Sequence, residues 1–147
     1  MKNSITISAS IFINRKPGMV WDFTQDYHQR TKWDKAVRSI KIIEETPNRI
    51  VELKLKGKQK LRFQYKLDDR PTKTRLAIIA SDSWLLAGGG GSWNYEPKNG
   101  GTEWSQTNAL ILKSGIMVGL LKPVIRIFFQ RQMRSSMRMA KAWLEKE

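Results

Sequence analysis

Histidine and cysteine, two residue types that often carry acid–base or nucleophilic chemistry near neutral pH, are scarce in this chain. It has one histidine, His28, and no cysteine. His28 lies in a polar stretch with no second metal-ligating residue beside it, which predicts a surface position rather than catalysis or metal binding. A Ser-His-Asp set needs a placed histidine, so nucleophilic catalysis of that type has no candidate. We predict no metal site and no cofactor.

A run of four glycines is the most unusual local feature, within "SDSWLLAGGGGSWNYEP" at 81–97. A phosphate-binding loop would end in Lys-Ser or Lys-Thr before a helix, whereas this run leads into an alternating segment that stops at proline. A linker between domains is disfavoured because both flanks belong to one series of strands. We expect the start of a strand, where glycine either forms a bulge or leaves space for a cavity.

Alternating apolar and polar residues predict seven strands, one at Ile5–Ile13 and six at 37–45, 49–56, 61–67, 73–81, 89–96 and 102–113. Short, turn-rich links make the last six an antiparallel meander. Two short helices, from Pro17 to Trp33, separate the first strand from the meander. Helical periodicity then predicts a long amphipathic helix over 122–146, with Pro123 in its first turn and its apolar face on the sheet.

The inward positions of these elements give the candidate ligand contacts. They are Phe63, Tyr65, Ile78, Trp93, Tyr95 and Trp104 on the sheet, and Phe129, Met133 and Ser136 on the long helix. Tyr65 and Tyr95 could donate hydrogen bonds, although a structural tyrosine is the commoner case. The inward strand positions carry no charged side chain, and acid–base catalysis needs a titratable group at the reacting site. The pattern therefore weighs against an enzyme.

Two amides, Gln106 and Asn108, interrupt the inner row of the last strand. A buried amide without a partner costs about 1–3 kcal/mol, so each needs a hydrogen-bond partner. The amides either pair with each other, with water or with Gln132 and Ser136 of the long helix, or they meet a polar group of a ligand. We predict the second arrangement, in which the two amides orient a bound molecule.

One end of the predicted sheet gathers apolar links. Successive turns of a meander alternate between its ends, which places 56–60, 81–88 and 113–123 together. These links carry Trp84, Leu85, Leu86 and Met117 among lysines such as Lys56, Lys58 and Lys113. Such a rim suits transient insertion into an anionic membrane surface. The alternatives are a cap on the core and a dimer contact.

Charge and length limit the class of protein. Lys plus Arg is 27 and Asp plus Glu is 13, a net charge of +14. Anionic partners become plausible, although a basic surface also occurs without a partner. The 147 residues suit a single domain, 1–147. The start of the chain lacks the continuous apolar segment of a signal peptide, and no run approaches about 20 apolar residues. We predict a cytoplasmic protein, either free or peripheral to a membrane.

Several short motifs resemble one superfamily. "ITISASIFIN" leads into "PGMVWDFTQD" and "RTKWDKAVRSIKII", and "GGTEW" precedes the last strand. The sequence resembles the helix-grip fold of START and Bet v 1-like (SRPBCC) proteins, closest to the polyketide cyclase/dehydrase-like branch. The matching positions are Val20, Trp21, Asp26 and Trp33. The segment "WDKAV" departs from the pattern, because many members carry a proline soon after the tryptophan.

This resemblance implies an α+β helix-grip fold, with an antiparallel seven-strand sheet wrapped around a long C-terminal helix and a hydrophobic cavity between them. Members of the superfamily bind lipids, sterols or polyketides, and some catalyse cyclisation or dehydration. Three functions stay open: binding or transport of an apolar small molecule or lipid, a cyclase or dehydratase, and a basic adaptor for a membrane surface or nucleic acid. Nucleic acid is disfavoured because most aromatic residues are predicted to be buried. The oligomeric state is not predicted.

Overall fold

The computed structural model describes residues 3–45, 49–55 and 59–146. Seven strands and three helices follow one another along the chain, with the following bounds: β1 Ser4–Ile13, α1 Pro17–Gln25, α2 Arg30–Trp33, β2 Val37–Glu44, β3 Ile50–Leu55, β4 Lys60–Asp69, β5 Lys73–Ser81, β6 Leu86–Lys98, β7 Gly101–Leu112 and α3 Ile116–Leu144. The seven-strand sheet and the long C-terminal helix confirm the predicted helix-grip fold.

The sheet is antiparallel throughout, in the order β1-β7-β6-β5-β4-β3-β2. β2 to β7 form the predicted meander, and α1 and α2 carry the chain from β1 to the opposite edge. The β6–β7 hairpin turns on Asn99 and Gly100, whose φ angles of 49° and 80° are those an Asn-Gly turn favours. The predicted link at 46–48 and the lysines Lys56 and Lys58 lie outside the described residues.

Side chains of α3 fasten it to the edge strand β1. The amide nitrogen of Gln130 donates to the carbonyl of Ser8 at 2.6 Å, and the Nζ of Lys141 donates to the carbonyl of Phe12 at 2.7 Å. At the helix end, Glu145 accepts a hydrogen bond from the backbone N–H of Asn14 at 2.8 Å. These bonds satisfy polar groups that an unpaired sheet edge would leave exposed.

The structure corrects the start of the long helix. α3 begins at Ile116, six residues before the predicted start at Lys122, so Pro123 lies inside the helix. Residues 116–121 are apolar on nearly every side and therefore show no helical period. Pro123 cannot donate to the carbonyl of Gly119. Gly119 is exposed, so water can satisfy that carbonyl.

The glycine run lies within β6, which begins at Leu86 rather than at 89 as predicted. The register shifts between Leu86 and Gly88, which is the bulge that the sequence suggested. Gly89 has a φ of +132°, and a Cβ there would collide with the carbonyl oxygen of Ala109. A Cβ on Gly90 would lie 2.7 Å from the carbonyl oxygen of Leu76. Glycine is therefore required because neighbouring strands approach this backbone closely.

This packing predicts opposite effects for two glycine substitutions. Gly89→Ala should lower the free energy of unfolding by at least about 2 kcal/mol, because the new Cβ meets backbone at a strained φ. Gly119→Ala is the matched control, since a Cβ there meets nothing within 4 Å. It should raise stability by about 0.5–1 kcal/mol, as expected for glycine in a helix. Urea denaturation measures both. A Gly89→Ala variant as stable as the wild type would contradict the described β6–β7 geometry.

Candidate functional site

A cavity of about 170 Å³ lies between the inner face of the sheet, α2 and the middle of α3. Eight of the predicted contact residues line it: Phe63, Ile78, Trp93, Gln106 and Asn108 from the sheet, and Phe129, Met133 and Ser136 from the helix. Strand alternation turns the sheet residues inward, and helical periodicity does the same for the α3 residues. Gly90 of the glycine run also lines the cavity.

Three other predicted contacts, Tyr65, Tyr95 and Trp104, do not belong to the described cavity lining. Trp104 is fully buried, with its ring centroid 5.4 Å from that of Trp93 and 6.2 Å from that of Tyr95. Trp33 packs edge-on against Trp104 at 5.5 Å. The aromatic cluster formed by Trp33, Trp93, Tyr95 and Trp104 therefore fills one end of the space under α3. Trp33 and Trp93 line the cavity, and Tyr95 and Trp104 pack behind them.

The two tyrosine hydroxyls belong to a buried hydrogen-bond network. Tyr95 accepts from the side-chain N–H of Gln25 at 2.8 Å and shares a hydrogen bond with Thr24 at 2.7 Å. Tyr65 donates to the side-chain carbonyl oxygen of Gln25 at 2.9 Å and is also hydrogen-bonded to the hydroxyl of Tyr27. Gln25 thereby joins α1 to both β4 and β6. These contacts assign the tyrosines a structural position, which the sequence left as one alternative.

Gln106 and Asn108 have a different environment. Gln106 is only 6% exposed, and neither amide takes part in a side-chain hydrogen bond with another described residue. The suggested structural partner Ser136 instead accepts a hydrogen bond from the backbone N–H of Lys35 at 3.1 Å. Asn108 lies opposite Gly91, where a Cβ would collide with its side-chain oxygen. Glycine at 91 thus leaves room for a polar group that faces the cavity.

The lining also contains an ion pair that the sequence analysis missed. Arg30 and Asp34 of the α2 region both face the cavity, and their side chains are 12% and 13% exposed. The Nε of Arg30 donates to Asp34 at 2.7 Å. The sequence analysis found no charged side chain at the inward strand positions, and these two charged groups enter the cavity wall from outside the strands. Those inward strand positions were assigned from alternation alone. The i,i+4 spacing of Arg30 and Asp34, which places both on one side of a helix near Trp33, indicated the pair.

Aromatic rings surround the buried guanidinium. The Cζ atom of Arg30 lies 5.0 Å from the ring centroids of Trp33 and Trp93 and 5.6 Å from that of Tyr27. Burial is the largest effect and opposes the charge, but Asp34 and the neighbouring tyrosines together outweigh it, and the pKa of Arg30 lies above its usual range. Arg30 is thus a permanent cation in the cavity wall.

The predicted rim is divided between surface and core. Trp84 and Met117 are each 67% exposed, and Leu85 is half-buried. Leu86 departs from the expectation, because it is 5% exposed and lines the cavity. The backbone N–H of Lys113 donates to the carbonyl of Leu85 at 2.8 Å, which joins the β5–β6 link to the link before α3. The isolated histidine, His28, is exposed.

A family model described as "Polyketide cyclase / dehydrase and lipid transport" matches residues 4–145. The chain belongs to this family. The match confirms the resemblance drawn from the opening strand and the α1–α2 motifs, and it places the cavity in a family of ligand-binding and cyclase proteins. No curated protein matches the sequence.

Solved structures share the fold at low sequence identity. The protein TTHA0849 from Thermus thermophilus is 21% identical with a TM-score of 0.81, covering 95% of this chain and 97% of its own. The Zhui aromatase/cyclase from Streptomyces sp. R1128 is 12% identical with a TM-score of 0.80, covering 97% and 94%. Ara h 8.0201 is 14% identical with a TM-score of 0.71, covering 96% and 97%. These similarities establish the helix-grip architecture.

The tyrosine network predicts a loss of stability at high pH. Burial raises the pKa of both Tyr65 and Tyr95 above the ordinary value. Their neutral forms therefore stabilise the fold fully below about pH 10, where unfolded tyrosine ionises, and this contribution falls as pH rises further. From about pH 10 to 11, where unfolded tyrosine passes from about half to mostly ionised, each tyrosine should add about 1 kcal/mol per pH unit to the decline in unfolding free energy.

Tyr95→Phe removes one of the two contributions and isolates it from the titrating lysines, which both proteins share. Urea denaturation between about pH 10 and 11 should give a shallower decline for the variant, by about 1 kcal/mol per pH unit. The variant will be less stable at neutral pH because it loses two hydrogen bonds, so the slope is the relevant readout. Equal slopes would show that Tyr95 ionises as readily in the folded protein as in the unfolded chain.

Proposed function

We propose that this protein binds and carries an apolar small molecule or lipid in the cavity between the sheet and α3. The observation that carries the proposal is a space walled by Phe63, Ile78 and Phe129, into which the sheet also turns two amides, Gln106 and Asn108, that are unpaired among the described residues. Apolar walls with a few convergent polar groups are typical of small-molecule sites. The walls supply affinity, and the amides would orient the bound molecule.

The size of the cavity limits the ligand. A cavity of about 150 Å³ lined by aliphatic and aromatic side chains holds a single benzene molecule in another protein. The 170 Å³ observed here therefore suits one aromatic ring or a short alkyl chain. A fused multi-ring molecule would require α3 to move away from the sheet.

The cyclase alternative has support from Arg30 and Asp34, which place charged groups in the cavity wall. Their contacts favour binding over proton transfer. One oxygen of Asp34 accepts from the Nε of Arg30 and the other from the backbone N–H of Ala36, at 2.7 and 3.1 Å. A carboxylate whose two oxygens already accept hydrogen bonds is a poor general base, and a guanidinium that remains protonated is a poor general acid.

We also propose that the first half of α3 docks on an anionic membrane surface. Seven exposed apolar side chains occupy its outward face and form the apolar stripe: Ile116, Met117, Leu120, Leu121, Val124, Ile127 and Phe128. At 100° per residue they fall within an arc of about 140°. Trp84, beside the start of the helix, extends this surface. No helix among the described residues is long and apolar enough to cross a membrane.

Charge favours a lipid bilayer, rather than a second copy of the chain, as the partner of the apolar stripe. Beyond the apolar stripe the outward face of α3 becomes basic, with Arg131, Arg134 and Arg138 exposed. The sequence from Trp104 to Leu144 contains seven Lys or Arg residues and no Asp or Glu. The apolar stripe can insert among the lipids while the arginines that follow it contact anionic headgroups. Two chains of charge +14, in contrast, repel each other. The ring of Phe128 lies 5.5 Å from that of the cavity residue Phe129, so docking would bring the cavity to the membrane.

The binding proposal predicts that filling the cavity abolishes binding. We expect the wild type to bind 1-octanol in isothermal titration calorimetry and Ser136→Phe to lose this binding, because the ring would occupy the lined space. Ala142→Phe is the matched control, since Ala142 is exposed on the same helix. Circular dichroism establishes that both variants are folded. Binding of 1-octanol to Ser136→Phe at wild-type affinity would place the ligand elsewhere.

The docking proposal predicts co-sedimentation with phosphatidylserine-containing liposomes, but much less with phosphatidylcholine alone, and a decrease in high salt. Leu120→Ser with Phe128→Ser should reduce binding by about tenfold or more, because two apolar side chains no longer insert. The control is Ile79→Ser with Ile111→Ser, two exposed apolar residues of the sheet. Equal binding by the stripe variant would contradict docking, as would a wild-type dimer that this variant converts to a monomer.

A further inference from the structure

The guanidinium of Arg30 has N–H donors that form no hydrogen bond with the described residues. Its Nε is used by Asp34, while its two terminal amino groups donate to none of the described residues. The side chain is 12% exposed, and the residue lines the cavity. A guanidinium carries five N–H donors in a rigid fork, so four remain available on the terminal nitrogens. Unpaired donors of a buried cation are costly unless an acceptor enters the cavity.

The surroundings of Arg30 hold the group in place without consuming these donors. The rings of Tyr27, Trp33 and Trp93 attract the cation through their faces. Asp34 fixes one edge of the guanidinium and is itself fixed by the backbone N–H of Ala36. Arg30 is therefore oriented in advance, which reduces the entropy lost on binding an acceptor.

The balance of charge near the cavity leaves room for an anion. Arg49 lies close to the same tyrosine as Arg30, with its Cζ 4.9 Å from the ring centroid of Tyr27. The ion pairs of Arg49 with Glu45 and Asp68 are long, at 3.9 and 4.0 Å, and both acids are well exposed. Asp34 is the acidic residue within the described cavity lining. The charge of Arg49 is thus only weakly neutralised, which favours an anion in the neighbouring cavity.

We propose that Arg30 binds the carboxylate of an amphiphilic acid whose apolar part fills the cavity. This inference rests on the proposed function and adds the chemical class of the ligand. A carboxylate matches the two terminal amino groups of a guanidinium in a bidentate pair, which an alcohol or hydrocarbon cannot form. Gln106 is the register partner of Trp93, so its amide lies beside the ring that Arg30 covers and offers another donor to the same headgroup.

The test compares two ligands with the same chain length, octanoate and 1-octanol, by isothermal titration calorimetry at neutral pH. Their affinity ratio cancels the contribution of the alkyl tail. The variant is Arg30→Gln with Asp34→Asn, which removes both charges and leaves no buried ion unpaired. We expect its preference for octanoate over octanol to fall by about tenfold or more relative to the wild type. Arg70→Gln with Asp22→Asn also leaves the net charge unchanged, removes an exposed ion pair away from the cavity, and should retain the wild-type ratio.

A measurement on the wild type keeps the test independent of variant stability. In arginine side-chain NMR, octanoate should shift the Arg30 resonances and octanol should not. Equal affinity ratios in the wild type and the double variant, or Arg30 resonances that ignore octanoate, would overturn the acid-binding inference while leaving the cavity function intact. Failure of the wild type to bind either ligand would overturn both.

Discussion

Contact of α3 with two separate apolar clusters of the sheet is the constraint on which the rest of the structure depends. Ser136, Met137 and Ala140 are buried, and the small side chains at 136 and 140 let the helix settle on the aromatic cluster. Protein interiors tolerate few voids, so this end is packed. Nearer the start of α3, Val118 and Ile125 pack on a second cluster, which contains Leu86 and Leu112. The cavity is the space left between these two packed regions, under the middle of α3.

The same constraint explains why polar groups gather at the cavity. α2 packs beside α3 and contributes Trp33 to the aromatic cluster, and its first residue, Arg30, enters the wall. A buried cation requires a counter-ion and further acceptors, which here are Asp34 on one side and aromatic faces on the others. The tyrosine network behind the wall holds α1 against β4 and β6. The site is thus built on rigid elements rather than on loops.

Much of the fold could be predicted because its strands are covered on one face and therefore alternate with period two. This period gave the parity of Phe63, Trp93 and Gln106, which line the cavity. It also placed Tyr95 and Trp104 on the inner face. Alternation shows which face a side chain is on but not how far it lies from the cavity, so it could not show that neighbouring residues separate these two from the cavity. The first turns of α3 have no polar side and hence no period. α2 spans about one turn, which is too short to define a face, and so Arg30 escaped notice.

The most direct test of an open apolar cavity is a crystal structure of the protein under xenon pressure. Xenon occupies dry apolar cavities of about this size. The account predicts a xenon atom between the sheet and α3, in contact with Phe63, Phe129 and Met133, with those side chains in their described positions. Side chains packed solidly across this space, with xenon absent from it, would contradict the account.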